Sequence, residues 1–149
     1  MAVRLLIASD HGGVELKAAL VKFLKKRKVT VSDLGTHSEA SVDYPDYALA
    51  LAKKVGRARD ERGILICKSG IGMSVSANKV RGVRAALCLN KEMAKLSRLH
   101  TNSNVLVLGA QFVTPKRAEQ IVDTWLTTPF EGGRHEKRIN KITHYEGEK

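Results

Sequence analysis

Cysteine is scarce in this chain: its 149 residues contain two, Cys67 and Cys88, too few for a disulfide framework. No secretory leader is visible, because the apolar stretch at residues 3–8 is short and runs straight into Ser9-Asp10-His11-Gly12. Together these absences predict a reducing, cytoplasmic setting. No apolar run approaches the ~20 residues of a membrane-crossing helix, so no membrane partner is expected. Nor does any Pro-, Gly- or Ser-rich linker divide the chain, and one domain over residues 1–149 is expected. The five histidines are scattered, and none pairs with a cysteine or another histidine at a metal-ligand spacing. Neither a metal nor a cofactor is expected. Aromatic residues make up only 5% of the chain, which leaves Ala, Val, Leu and Ile to pack the core.

Acidic residues are also in deficit: 26 Lys and Arg against 15 Asp and Glu give a formal charge of +11. The excess falls on the outer faces and ends of expected helices, without the interleaved aromatic platforms a single-strand binder needs. No nucleic-acid partner is expected. A small phosphorylated ligand would use two or three of these charges.

What the chain does contain is a regular alternation. Strand-like segments at residues 3–8, 29–33, 63–66, 83–89 and 105–108 alternate with helical patterns, which predicts an α/β fold with a five-stranded parallel sheet covered on both faces. In the first helix, residues 14–27, Leu16, Ala19, Leu20, Phe23 and Leu24 mark a core-facing stripe. Asp43-Tyr44-Pro45, Asn90 and Thr114-Pro115 read as helix entrances, and a basic C-terminal helix follows Gly132-Gly133. Cys88 alternates into the fourth strand and reads as a small buried hydrophobe.

The most informative stretch is residues 63–78. An apolar strand ends in Cys67, and the turn Ser69-Gly70-Ile71-Gly72 leads into a short helix through Ala77 and Asn78. Glycines let the backbone approach a ligand, and free N–H groups at a helix start attract negative charge. A thiol beside such a loop suits either nucleophilic catalysis or proton transfer next to a carbonyl, unless it is merely a buried structural cysteine. Ligands in open parallel sheets bind beyond the carboxyl ends of the strands. Strand one brings Asp10 and His11 there, and the helix after strand four is expected to deliver His100 and Thr101 to the same place. Asp10 would orient an imidazole or a sugar hydroxyl, or cap the first helix; His11 and His100 are catalytic candidates or hydrogen-bonded structural residues. Arg134 and Arg138, spaced i and i+4 on one helix, either grip one phosphate or form a solvated basic face.

Six separated motifs complete the pattern: Ser-Asp-His-Gly-Gly at 9–13, Asp-Leu-Gly-Thr at 33–36, Val-Asp-Tyr-Pro-Asp-Tyr-Ala at 42–48, Ile-Leu-Ile-Cys with Ser-Gly-Ile-Gly-Met-Ser, Ala-Asn-Lys at 77–79, and Phe-Glu-Gly-Gly-Arg-His at 130–135. In order and approximate spacing the chain resembles the type B ribose-5-phosphate isomerases over nearly its full length. The wider family includes isomerases of galactose, allose and tetrose phosphates.

The resemblance implies a Rossmann-like three-layer α/β/α sandwich, and a homodimer or dimer of dimers with active sites shared across the interface. It implies metal-free interconversion of ribose 5-phosphate and ribulose 5-phosphate through a cis-enediolate, a step of the pentose phosphate pathway. Cys67 would be the base, and the loop of Ser69, Gly70, Ile71, Gly72, Met73 and Ser74 would stabilise the enediolate. His100 would assist ring opening, with Asp10, Tyr44, Asn78 and Thr101 contacting the sugar. His11, Arg134 and Arg138 would bind the phosphate. The chain departs from the pattern at Lys68, where a glycine usually follows the cysteine, at Thr101 in place of asparagine, at Gln111 in place of arginine, and at Ser69 in place of threonine. These leave open an isomerase of another aldose phosphate, or a sugar-phosphate-binding subunit without turnover.

Overall fold

The computed structural model describes residues 3–147. Its strands are β1 (Arg4–Ser9), β2 (Val31–Asp33), β3 (Glu61–Cys67), β4 (Ala85–Leu87) and β5 (Val105–Gly109), all parallel in the order β2-β1-β3-β5-β4. The expected five-stranded parallel sheet is present. Its helices are α1 (Val14–Lys26), α2 (Tyr44–Arg57), α3 (Ile71–Ala77), α4 (Lys91–Thr101), α5 (Pro115–Thr127) and α6 (Arg134–Gly147), with a single 3-10 turn at His11–Gly13.

β1, β3 and β5 occupy the sheet centre and are apolar on both sides, as strands covered twice must be. One layer packs Leu20 and Leu24 of α1, Ala94 of α4 and Ile121 and Trp125 of α5 against Ile7, Ile64 and Leu106. The opposite layer packs Leu51 and Val55 of α2 and Met73 of α3 against Ala8, Leu65 and Val107. Caps set the helix entries: the side chains of Asn90 and Thr114 accept from the amides of Met93 and Arg117. Proline opens the first turn of α2 and α5, where its missing N–H costs nothing.

Boundaries differ where pairing outruns apolar pattern. β3 begins at Glu61, because Glu61 and Arg62 stay in register with Arg4 and Leu5. β4 is shorter than residues 83–89, because Gly82 at φ +84° and the Val83 amide bonded to Val80 hold its approach in a turn.

Candidate active site

The layers locate the ligand crevice. β1 leads to α1 on one face and β3 leads to α3 on the other, so the carboxyl ends of these neighbouring strands diverge. Cys67 is the last residue of β3, 5% exposed, at that divergence. Its Sγ accepts a hydrogen bond from the Gly70 amide at 3.1 Å. Gly70 makes this turn at φ +80°, and a Cβ there would lie 2.6 Å from Leu87 Cδ1.

Within the loop, Ser69 Oγ accepts from the Ile71 amide at 3.2 Å and Gly70 O accepts from the Ser74 amide at 3.0 Å. The amides of Gly72 and Met73 have no hydrogen bond among the described residues. They are the open donors of the cradle. Met73 contributes nothing else to a ligand, since its side chain is fully buried, whereas Ile71 points outward at 59% exposure. Tyr44, at the start of α2, lies over the loop: a Cβ on Gly72 would fall 2.5 Å from its ring.

From β1, Asp10 Oδ1 accepts the Gly12 amide at 2.9 Å and so caps the 3-10 turn at His11–Gly13, not α1, whose own N-cap is Gly13; its other oxygen has no partner among the described residues. His11 Nδ1 accepts the Val42 amide at 3.1 Å, which in a neutral imidazole leaves Nε2–H as a donor. A cleft of about 670 Å³ joins Asp10 and His11 to Lys68 and Gln111, two of the four departures from the family pattern. Neither was given a contact from sequence; both line this cleft. Below it, Lys17 and Asp33 pair at 2.6 Å, and Asp33 also accepts the Gly35 amide. Burial pushes the Asp33 carboxyl up, but the bonds from Lys17 and Gly35 outweigh it and hold the group below its ordinary value.

The remaining candidates lie elsewhere. α4 runs antiparallel to the strands, so its last turn sits at the amino edge of the sheet, beside the entries to β4 and β5. There Arg84 Nε donates to Thr101 O at 2.8 Å, and Arg98 donates to Ser103 O and Thr128 O. Burial, with Arg62 and Arg84 nearby, brings the Arg98 guanidinium down to about 10. His100 and Thr101 therefore do not join Cys67 within one chain, which corrects the expected convergence: a helix that begins at the carboxyl edge ends at the other. Thr101 Oγ1 is bonded back to Ser97 O at 2.6 Å. The side-chain amide of Asn78 bonds both backbone groups of Ala85 and ties α3 to β4.

Arg134 and Arg138 are exposed on α6, and their side chains make no hydrogen bond or ion pair among the described residues. The loop before them is tied to α4 by the Glu131 amide, which donates to Leu99 O at 3.2 Å. Beside them His135, to which sequence reasoning gave no role, stacks on His100 with ring centroids 4.3 Å apart. Only its place in the motif at 130–135 could have flagged it. His100, Glu131 and His135 are the one three-ligand group among the described residues close enough to hold a metal. Their geometry does not suit an ion, because rings stacked at 13° aim their nitrogen lone pairs along separate, nearly parallel planes.

The described residues thus present two candidate half-sites, a thiol with an amide cradle at the carboxyl edge of the sheet, and imidazoles and arginines apart from it. The model of the Ribose/Galactose Isomerase family matches residues 5–142. Ribose-5-phosphate isomerase B of Escherichia coli is 44% identical over 137 residues, 92% of each chain. A crystal structure of ribose-5-phosphate isomerase B from Mycoplasma genitalium with bound ribulose-5-phosphate superposes with a TM-score of 0.96, at 46% identity over 100% of this chain and 99% of that one. That of Clostridium thermocellum ribose-5-phosphate isomerase B gives 0.95, at 49% identity over 98% and 99%. The chain belongs to the Ribose/Galactose Isomerase family of aldose–ketose isomerases.

Proposed function

We propose that this chain interconverts ribose 5-phosphate and ribulose 5-phosphate through a cis-enediolate, with Cys67 as the base and no metal. The observation that carries this reading is the placement of Cys67 Sγ under the Gly70 amide, beside the open amides of Gly72 and Met73. A thiolate there takes the proton from C2 and returns it at C1, while the two amides meet the negative charge that develops on the enediolate oxygens. Asp10 and Tyr44 contact sugar hydroxyls, and His11 donates from Nε2 to the phosphate.

The second half-site is supplied by another copy. Around His100 and Thr101 lies a groove of about 940 Å³ lined by Leu87, Met93, Leu96, Ile142 and Tyr145, the last four well exposed. A homodimer, alone or paired again into a tetramer, buries this apolar face and lays His100, Arg134 and Arg138 of a second copy against the Cys67 cradle. His100 then assists opening of the furanose ring, and the arginines complete the phosphate grip.

The test is isomerisation of ribose 5-phosphate in the presence of chelator, with wild type and Cys67→Ala compared. Chelator-resistant turnover that falls by about 10²- to 10⁴-fold in the variant is expected. Equal turnover in the two proteins refutes the thiol base. Because Lys68 and Gln111 line the cleft, the same assay with allose, galactose and tetrose phosphates decides the substrate. Tight binding with no turnover of any of them would make this a sugar-phosphate-binding subunit.

A further inference from the structure

His135 is 4% exposed, and its Nε2 has no hydrogen-bond partner. It lies 3.4 Å from Glu131 Oε1, a contact not aligned as a hydrogen bond. A residue kept only for packing would be apolar here, since an unsatisfied buried polar atom destabilises the fold. What the ring does touch is His100, face to face.

We infer that His135 is a positioning residue for ring opening, its face holding the His100 imidazole in plane and supporting the charge that imidazole gains, with the Glu131 carboxylate close to both rings. The inference rests on the ring-opening role proposed for His100. In that step an imidazole nitrogen of His100 takes the proton of the O1 hydroxyl, the C1–O1 bond becomes a carbonyl, the C1–O4 bond breaks, and the proton is delivered to O4. His100 is transiently an imidazolium, and an aromatic face stacked on a cation stabilises it. The carboxylate of Glu131 adds attraction from the same side. Nothing in this arrangement touches the proton transfer at Cys67.

That separation supplies the test. Ribose 5-phosphate must be opened before it reacts. Ribulose 5-phosphate is always open, because the hydroxyl that would close its ring carries the phosphate. Two rates are measured: turnover of ribose 5-phosphate, and exchange of a C1 hydrogen of ribulose 5-phosphate in D₂O followed by NMR. His135→Ala is expected to lower turnover by about 10- to 100-fold and leave exchange within about 2-fold, while His135→Phe, which keeps the face, recovers most of the loss. A parallel fall in both rates, or no fall in turnover, overturns the inference. If His135→Ala does not fold, Glu131→Gln at an exposed carboxylate is expected to show a smaller split of the same sense, and its absence is equally decisive. His100→Ala separates the two levels. A split in His100→Ala without one in the His135 and Glu131 variants sinks this inference alone, and no split in His100→Ala sinks the ring-opening role itself.

Discussion

Cys67 and Cys88 are both buried, yet their surroundings differ. Cys88 sits among aliphatic side chains with a backbone carbonyl 3.7 Å from its sulfur, and burial pushes its thiol up to about 11. Cys67 receives an amide N–H at the mouth of a strand. Alkylation by iodoacetamide at pH 8 is expected to modify Cys67 first and to slow when a sugar phosphate is present, as peptide mass mapping over time would reveal. Modification of Cys88 ahead of Cys67 would remove the argument for a reactive thiol in the cradle. The place of Cys67 was legible in the sequence, since an apolar strand ending in a thiol before Ser-Gly-Ile-Gly puts the group at a strand end by pattern alone. Asn78 was not legible. Its side-chain amide spends both hydrogen-bonding ends on Ala85, a pairing fixed by how far α3 runs before β4 begins, and no local pattern encodes that.

The helices and strands show the same division between what periodicity encodes and what it does not. Apolar spacing identified the buried stripe of α1, with Leu16, Leu20 and Leu24 all in the core. It said nothing of Lys17, also buried, whose ammonium ties α1 to the end of β2 through Asp33. The same limit explains His100: spacing gives the face of α4 that meets the core, while the sheet edge reached by its last turn follows from helix direction and length. The Lys17–Asp33 tie carries a pH signature. Asp33 is held below its ordinary value, so it binds fewer protons folded than unfolded near pH 4, and its contribution is complete above about pH 5 and lost as the pH falls through the folded value. Asp33→Asn, which leaves the buried ammonium without its counter-charge, should cost on the order of 2 kcal/mol at pH 7. Urea midpoints at pH 7 and pH 3 check this. The gap between variant and wild type must narrow at the lower pH, and a gap of unchanged size would assign the loss to packing instead.

At the scale of the whole molecule, the two half-sites face a geometric choice. Within one chain, Cys67 closes the carboxyl edge of the sheet and His100 the amino edge, joined by no described contact. If both act on one sugar, they come from different copies, and a two-fold axis then makes two identical composite sites per dimer. This arrangement predicts complementation. Cys67→Ala and His100→Ala are each expected to be strongly impaired alone. When the two are unfolded together and refolded as a mixture, random pairing makes half the dimers mixed, and each mixed dimer holds one site with an intact cysteine and an intact histidine. Turnover of ribose 5-phosphate should recover to roughly a quarter of wild type, and it should stay absent when separately folded dimers are combined without exchange. Were both residues of a site drawn from the same chain, every site in a mixed dimer would lack one of them and no activity would return. The recovery therefore reads out shared sites directly, and it does so with two substitutions at opposite edges of the sheet, each of which only shortens a side chain.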